Sequence, residues 1–195
     1  MDDPWGGGLL GPGSDLSARL ERWAAEARVD DAARQRTRER WLLQQAEEGG
    51  RLAGVLCDLA EQGAALAVRT RAGRQHQGRI RAVGDDFVAV DPGAPGGSAA
   101  VFVALGALSS VRVTPGSAAA PTGDRSARTG LRLAEVLAGL AAERERVLIV
   151  AHDGEDAVAG SLRSVGLDVA VVRLDGPEPT TVYVPISAIT ELTLP

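Results

Sequence analysis

The sequence predicts an α+β protein: an N-terminal helical segment followed by two tandem modules, each a short helix plus a small five-stranded β-barrel. Three observations carry that prediction. A ten-residue apolar-striped segment occurs twice, five β-patterned runs follow each occurrence in the same order, and glycines fall at matching places in both copies.

The N-terminal part divides at Ser14. Residues 1–14 hold Gly6, Gly7, Gly8, Gly11, Pro12 and Gly13 and read as a flexible tail, with Ser14 or Asp15 placed to cap a helix. Residues 15–50 read as helical. Leu16, Leu20, Trp23 and Ala27 repeat at helical spacing, Val29-Asp30-Asp31 marks an interruption, and a second helix runs through Arg34 and Trp41 to Gly49-Gly50. Trp23, Trp41, Leu42 and Leu43 are large apolar residues on this segment. They predict packing in a helical hairpin or against a partner helix, so Leu16, Leu20, Trp23, Trp41 and Leu42 are the candidate partner-binding residues.

The duplication spans 51–113 and 131–195. In the first copy Leu52, Val55, Leu56 and Leu59 lie at i, i+3, i+4 and i+7; Leu133, Val136, Leu137 and Leu140 do the same in the second. Leu-rich helices resemble one another by chance, so the strands decide the matter. Leu66–Arg71 leads to Gly73 as Val147–His152 leads to Gly154. Gly78–Gly84 answers Gly160–Gly166, Phe87–Val90 answers Val169–Val172, and Val101–Leu108 answers Val182–Ile189. Val111 and Val113 answer Leu192 and Leu194, and one extra residue between Gly154 and Gly160 falls where a hairpin tolerates it. Residues 114–130 are rich in Gly, Ala, Ser, Thr and Pro and read as a linker. Modules this small bury little surface alone, so each helix is expected to cover one end of its barrel, with the copies packed together.

Composition narrows the function classes. The chain has 195 residues, a formal charge of −5, 45% hydrophobic and only 3% aromatic residues, so its cores are aliphatic. All 21 basic residues are arginine, which reads first as the codon bias of a GC-rich, actinobacterial-type genome. The acidic balance argues against polyanion binding by the whole surface. A single cysteine, Cys57, excludes an internal disulfide and fits a reducing compartment. No charged leader followed by an apolar run opens the sequence, and no stretch reaches the ~18 apolar residues of a membrane span. The expectation is a cytoplasmic protein.

The order of these motifs resembles the Sm-like fold: a short helix, a strand ending in Gly, Gly-x-hydrophobic on the next strand, a bend at Val83-Gly84, and the late runs Val101–Leu108 and Val182–Ile189. The bacterial host-factor RNA chaperones of that family share this cadence. The resemblance covers 51–113 and 132–194 and implies barrels whose edge strands pair with neighbours. It does not bring the family's ring-lining RNA site with it. The Lys-His pair that follows the late-strand tyrosine in the host factor is replaced by Val103-Ala104 after Phe102 and by Val184-Pro185 after Tyr183. The Asp-to-Asn pattern of the eukaryotic members is missing as well, because Asp86 is followed by Phe87-Val88-Ala89-Val90.

The strongest chemical feature is an arginine cluster in the first module. Strand alternation turns Arg69 and Arg71 outward with Val68 and Thr70 inward, and does the same for Arg79 and Arg81 around Ile80. Pairing across the turn at Arg74 is expected to gather them on one face, where guanidinium groups suit phosphate. Arg69, Arg71, Arg74, Arg79 and Arg81 are therefore the candidate nucleic-acid-binding residues. The competing readings are a solvated face, or one docked on the acidic second module. Residues 64–113 carry six arginines against three acidic side chains, and 147–195 carry two against seven.

Other features lead nowhere catalytic. The Arg34, Arg36, Arg38 and Arg40 series spreads around its helix between Gln35, Thr37 and Glu39. His76 and His152 have no second ligand at metal spacing, Cys57 has no histidine beside it in sequence, and the acidic turn Asp153, Glu155, Asp156 reads as solvated. Gly6-Gly7-Gly8 lacks the Lys-Ser/Thr of a phosphate loop. No cofactor, metal or small-molecule substrate is called for. The sequence reads as a non-catalytic interaction or scaffold protein binding a protein partner or itself, with RNA binding through the arginine face as the alternative.

Overall fold

A computed structural model describes residues 13–93, 100–116, 121, 123, 125, 130–152, 156–176 and 180–194, without the side chains of 13–18, 26, 30, 46, 47 and 156. The protein is α+β and falls into two units, Met1–Gln45 and Ala46–Pro195.

The first unit is built on helix α1, Gly13–Glu48. One uninterrupted helix stands where a break near Asp30-Asp31 was expected. Val and Asp are only mediocre helix formers, and neither Pro nor Gly occurs between Ser14 and Glu48 to stop the hydrogen-bond ladder. Gly49-Gly50 then ends it, as their backbone freedom predicts.

The second unit holds the duplication. Helix α2 (Leu52–Glu61) precedes β1 (Ala65–Thr70), β2 (Gln75–Val83), β3 (Phe87–Asp91), β4 (Val101–Ala104) and β5 (Leu108–Val113). Helix α3 (Leu133–Glu143) precedes β6 (Arg146–Ala151), β7 (Asp156–Val165), β8 (Val169–Leu174), β9 (Thr181–Pro185) and β10 (Ile189–Thr193). A single turn of 3₁₀ helix joins β4 to β5 and β9 to β10. Matching backbone bonds underline the repeat: Leu105 N–H donates to Asp86 C=O at 2.8 Å and Ile186 N–H to Asp168 C=O at 2.7 Å. Gly78 and Gly160 are needed for the same reason. A Cβ at either would stand 2.1 Å from a carbonyl oxygen of the neighbouring strand, that of Asp91 or Arg173.

The strands do not make two closed barrels. They form one open antiparallel sheet in the order β5-β1-β2-β3-β4-β10-β6-β7-β8-β9. Instead of closing on β5 of its own module, β4 pairs with β10 of the other, Val103 opposite Glu191, Phe102 opposite Leu192 and Val101 opposite Thr193. Side-chain alternation then puts the two cores on opposite sides of the sheet at this seam. Val101 and Val103 enter the first core with Leu56, Leu59, Val68 and Ile80. Phe102 turns the other way and packs on the second core, around Leu137, Ile149, Leu162 and Leu192.

Sequence-distant groups weld the modules. Phe87 and Ala89, on the first module, are buried in the second core, and the Phe87 and Phe102 rings meet at 5.8 Å. The Asp86 carboxylate accepts the N–H of Leu133 at 2.7 Å, so the first module's β2–β3 bend caps the N-terminus of α3. Asp85 N–H donates to Leu131 C=O at 2.9 Å. The predicted linker is not simply a tether. Gly123 N–H donates to the buried Asp58 carboxylate at 2.9 Å, Gly123 C=O accepts from Arg51 N–H at 2.9 Å, and Arg125 Nε lies 2.8 Å from Asp58 Oδ1. The close approach depends on Gly54, since a Cβ there would meet Gly123 C=O at 2.1 Å.

Candidate interaction surfaces

Every described side chain of α1 is exposed. Leu20, Trp23, Trp41 and Leu42 are among them, together with Val29 and Leu43; the Leu16 side chain lies outside those described. Leu20 and Trp41 are three heptads apart and share a helix face, but Asp30, Arg34 and Thr37 interrupt the stripe between them. Local polar contacts hold the rest of the surface. Arg19 stacks over the Trp23 ring at 6.0 Å, Thr37 Oγ1 donates to Ala33 C=O at 3.0 Å, and Arg34 lies 3.5 Å from Asp31. The arginines from Arg34 to Arg40 are exposed, as the helical spread of their positions requires.

The arginine cluster is only partly gathered. The β1–β2 register places Arg69 opposite Gln75 and Arg79 opposite Ala65, so the two share the outward face but stand at opposite ends of the hairpin. Four residues separate them along the strand, about 13 Å. Arg81 sits at a bulge between Ile80 and Ala82 and pairs with Asp91 at 3.5 Å. Arg71 lies beyond β1, where it lines a small polar cleft with His152, Ser187 and Thr190. Arg74 points at the second module. The five arginines therefore do not form one patch, because the twist, the bulge and the hairpin register separate what simple alternation would align.

A residue outside the predicted cluster takes part in an arginine-lined cleft on the outward face of the first module. Arg112 on β5 lies opposite Ala67 and so shares the outward face of Arg69 and Arg79. Arg79 and Arg112 flank a cleft of about 600 Å³ floored by Ala65, Ala67 and Gly78 and including Gln77 and Asp91. Arg79 also donates from Nη1 to Gly63 C=O at 2.9 Å, which fixes its side chain at the rim.

The seam contains the most unusual polar group. Glu191 on β10 is fully buried, yet it is charged in sequence and has Ser110 as its counterpart in the first module. Both partners come from the first module. The Arg74 guanidinium lies against Oε1, and His76 Nε2 is 2.7 Å from Oε2. Burying a carboxylate without such partners costs several kcal/mol, roughly. This group is an electrostatic clamp between the modules. The sequence offers a faint signal for it, a charged residue at a repeat position where the alternation continues into the core strand, but nothing local names its partners.

The remaining candidates stay apart. Cys57 is buried in the first core. His152 adopts a left-handed backbone with φ 49° and sits at the seam cleft. No cluster of three or more His, Cys, Asp or Glu that could hold a metal occurs among the described residues. Asp153, Glu155 and Gly6-Gly7-Gly8 lie outside the described residues, as does the Asp156 side chain. No helix among the described residues is long and apolar enough to cross a membrane. Compared with family models, curated proteins and solved structures, the chain finds no match in any of the three.

Proposed function

We propose that this chain is a non-catalytic, cytoplasmic scaffold protein, in which two Sm-like modules form a rigid body and α1 is the surface that engages a helix of a protein partner or of a second copy. The observation that carries the reading is α1 itself. An isolated helix of 36 residues gains little from propensity alone, and most helical stability in proteins comes from burying an apolar face. Here Leu20, Trp23, Trp41 and Leu42 are available for that purpose. Aromatic anchors of this kind dominate protein–protein binding energy when a partner covers them. The repeated strand order supports the Sm-like reading of each module.

The test replaces Trp23 and Trp41 by Ser in the full chain and compares capture of helical partners and self-association with the parent. A loss of at least tenfold in affinity, with the unfolding transition of the sheet unit unchanged, is the expected result. Unaltered binding would reject α1 as the docking surface.

RNA binding through the first module is the second reading, favoured by Arg69, Arg79 and Arg112 sharing one outward face beside the cleft. Three phosphate contacts to a single strand give log K a slope of about −2 against log salt. Anisotropy of labelled single-stranded RNA across a salt series measures it. Replacing the three arginines should abolish the slope, and absence of binding at low salt would eliminate this reading.

A further inference from the structure

On the outward face of the first module, β5, β1 and β2 lie side by side, and their register makes two cross-strand rows. One row is Arg112, Ala67 and Gln77. The other, two residues along β1, is Ala65 and Arg79, continued by Asp91 on β3. The two alanines contribute one methyl each and leave the space between the arginines unfilled. The result is the cleft of about 600 Å³, walled by Pro92 and Val113. That volume is typical of small-molecule sites, which are mostly apolar with a few placed polar groups.

Positive charge is left over on both flanks. Among the described residues neither the Arg79 nor the Arg112 guanidinium has an acidic partner. The Asp91 carboxylate at the edge is engaged by Arg81 at 3.5 Å and by the Gly93 N–H at 2.9 Å. Arg79 is pinned to Gly63 C=O, which precedes β1 and so draws the guanidinium away from the Arg112 row. The two arginines therefore do not converge on one point. Two strands across and two residues along set their Cα atoms about 12 Å apart.

The duplication supplies an internal control. In the second module Arg146 and Leu148 stand for Ala65 and Ala67, while Ser161 and Thr193 stand for Arg79 and Arg112. Arg146 pairs there with Asp175 at 2.5 Å. One copy of the design thus carries large side chains between neutral flanks, and the other carries methyl groups between two cations. The shared fold does not require the cleft, so the cleft reflects chemistry particular to the first module.

We propose that this cleft binds a small organic dianion of the dicarboxylate class. One carboxylate sits on Arg79, the other on Arg112, and a short hydrocarbon chain lies across Ala65 and Ala67. Guanidinium forks hold carboxylates by bidentate, charge-assisted hydrogen bonds, and the methyl floor suits an apolar middle. The Asp91 carboxylate beside Arg79 favours a singly charged carboxylate there over a doubly charged phosphate, because like charge repels. The site is independent of α1. It also differs from RNA contact through the same arginines, which needs their charge but not the space between them.

Calorimetric titration of the full chain with glutarate, adipate and suberate tests this. The expected result is saturable binding of one equivalent, strongest at one chain length and about tenfold or more tighter than octanoate or inorganic phosphate. Ala67→Leu installs the second module's residue and keeps both arginines. It should abolish dicarboxylate binding while leaving any salt-dependent RNA binding intact. Arg112→Gln, at an exposed position, should weaken the best dicarboxylate about tenfold and erase its advantage over octanoate. No saturation by any of the three dicarboxylates overturns the proposal. Binding that survives Ala67→Leu overturns it too, since surface charge alone would then suffice. Equal affinity for inorganic phosphate rejects the two-ended ligand. Should Ala67→Leu fail to fold, the Arg112→Gln comparison decides: an unchanged preference for the dicarboxylate over octanoate overturns the assignment.

Discussion

Leu133 and Leu52 occupy the same place in two copies of one design, the first turn of the helix that packs on its module, yet one is buried and the other faces solvent. The same split separates Phe102 from Tyr183 and Asp86 from Asp168. The local pattern of a module decides which residues are able to make a junction. Only the presence of a neighbouring module decides whether they do. Within this chain each module supplies one half of the junction and leaves its other half open.

Substitution at the paired positions sharpens that comparison, with unfolding measured by denaturant at concentrations where the chain is monomeric. The largest contrast is expected for Leu133→Ala against Leu52→Ala. Removing a buried leucine costs roughly 2–5 kcal/mol, while the exposed counterpart should fall within about 0.5 kcal/mol. Equal losses would mean that the two helices are packed alike and the asymmetry is wrong.

The clamp comes next. Replacing Arg74 and His76 together by Ala leaves Glu191 buried without counter-charge, and a loss of about 3 kcal/mol is expected, discounted toward 2 for the partial exposure of Arg74. Glu191→Ser, which installs the first module's residue, should recover part of that loss in the double-variant background. No recovery would show that the arginine and histidine act through packing and not through charge.

The smallest effect is at the bends. Asp86→Ala removes the cap of α3 and should cost about 1 kcal/mol, whereas Asp168→Ala should be neutral in the monomer. A neutral Asp86→Ala would break the view that the first module's bend helps to set the second module's helix.

Much of the fold was legible in the residues. Apolar spacing over Leu52–Leu59 and Leu133–Leu140, and alternation through Leu66-Val68-Thr70, defined short helices and half-buried strands, because burial of one face is a local periodic property. The expected outward direction of Arg69, Arg79 and Arg81 matches their exposure. The gathered arginine face was not legible, since it depends on which residue lies across the strand and where a bulge falls. Arg112 entered the same face only through the β1·β5 register. The break in α1 was read from two weak helix formers, which an otherwise continuous ladder accommodates.

The sequence by itself determined that one helix-plus-five-strand design occurs twice, where each apolar face lies, and which residues are alike in the two copies. Tertiary structure alone decided that β4 pairs with β10, that Asp58 holds the linker at Gly123 and Arg125, and that Glu191 is buried between Arg74 and His76. These depend on contacts between residues 65 or more positions apart. Such contacts reward the chain only after both partners have folded, and therefore leave no periodicity in either segment to be read.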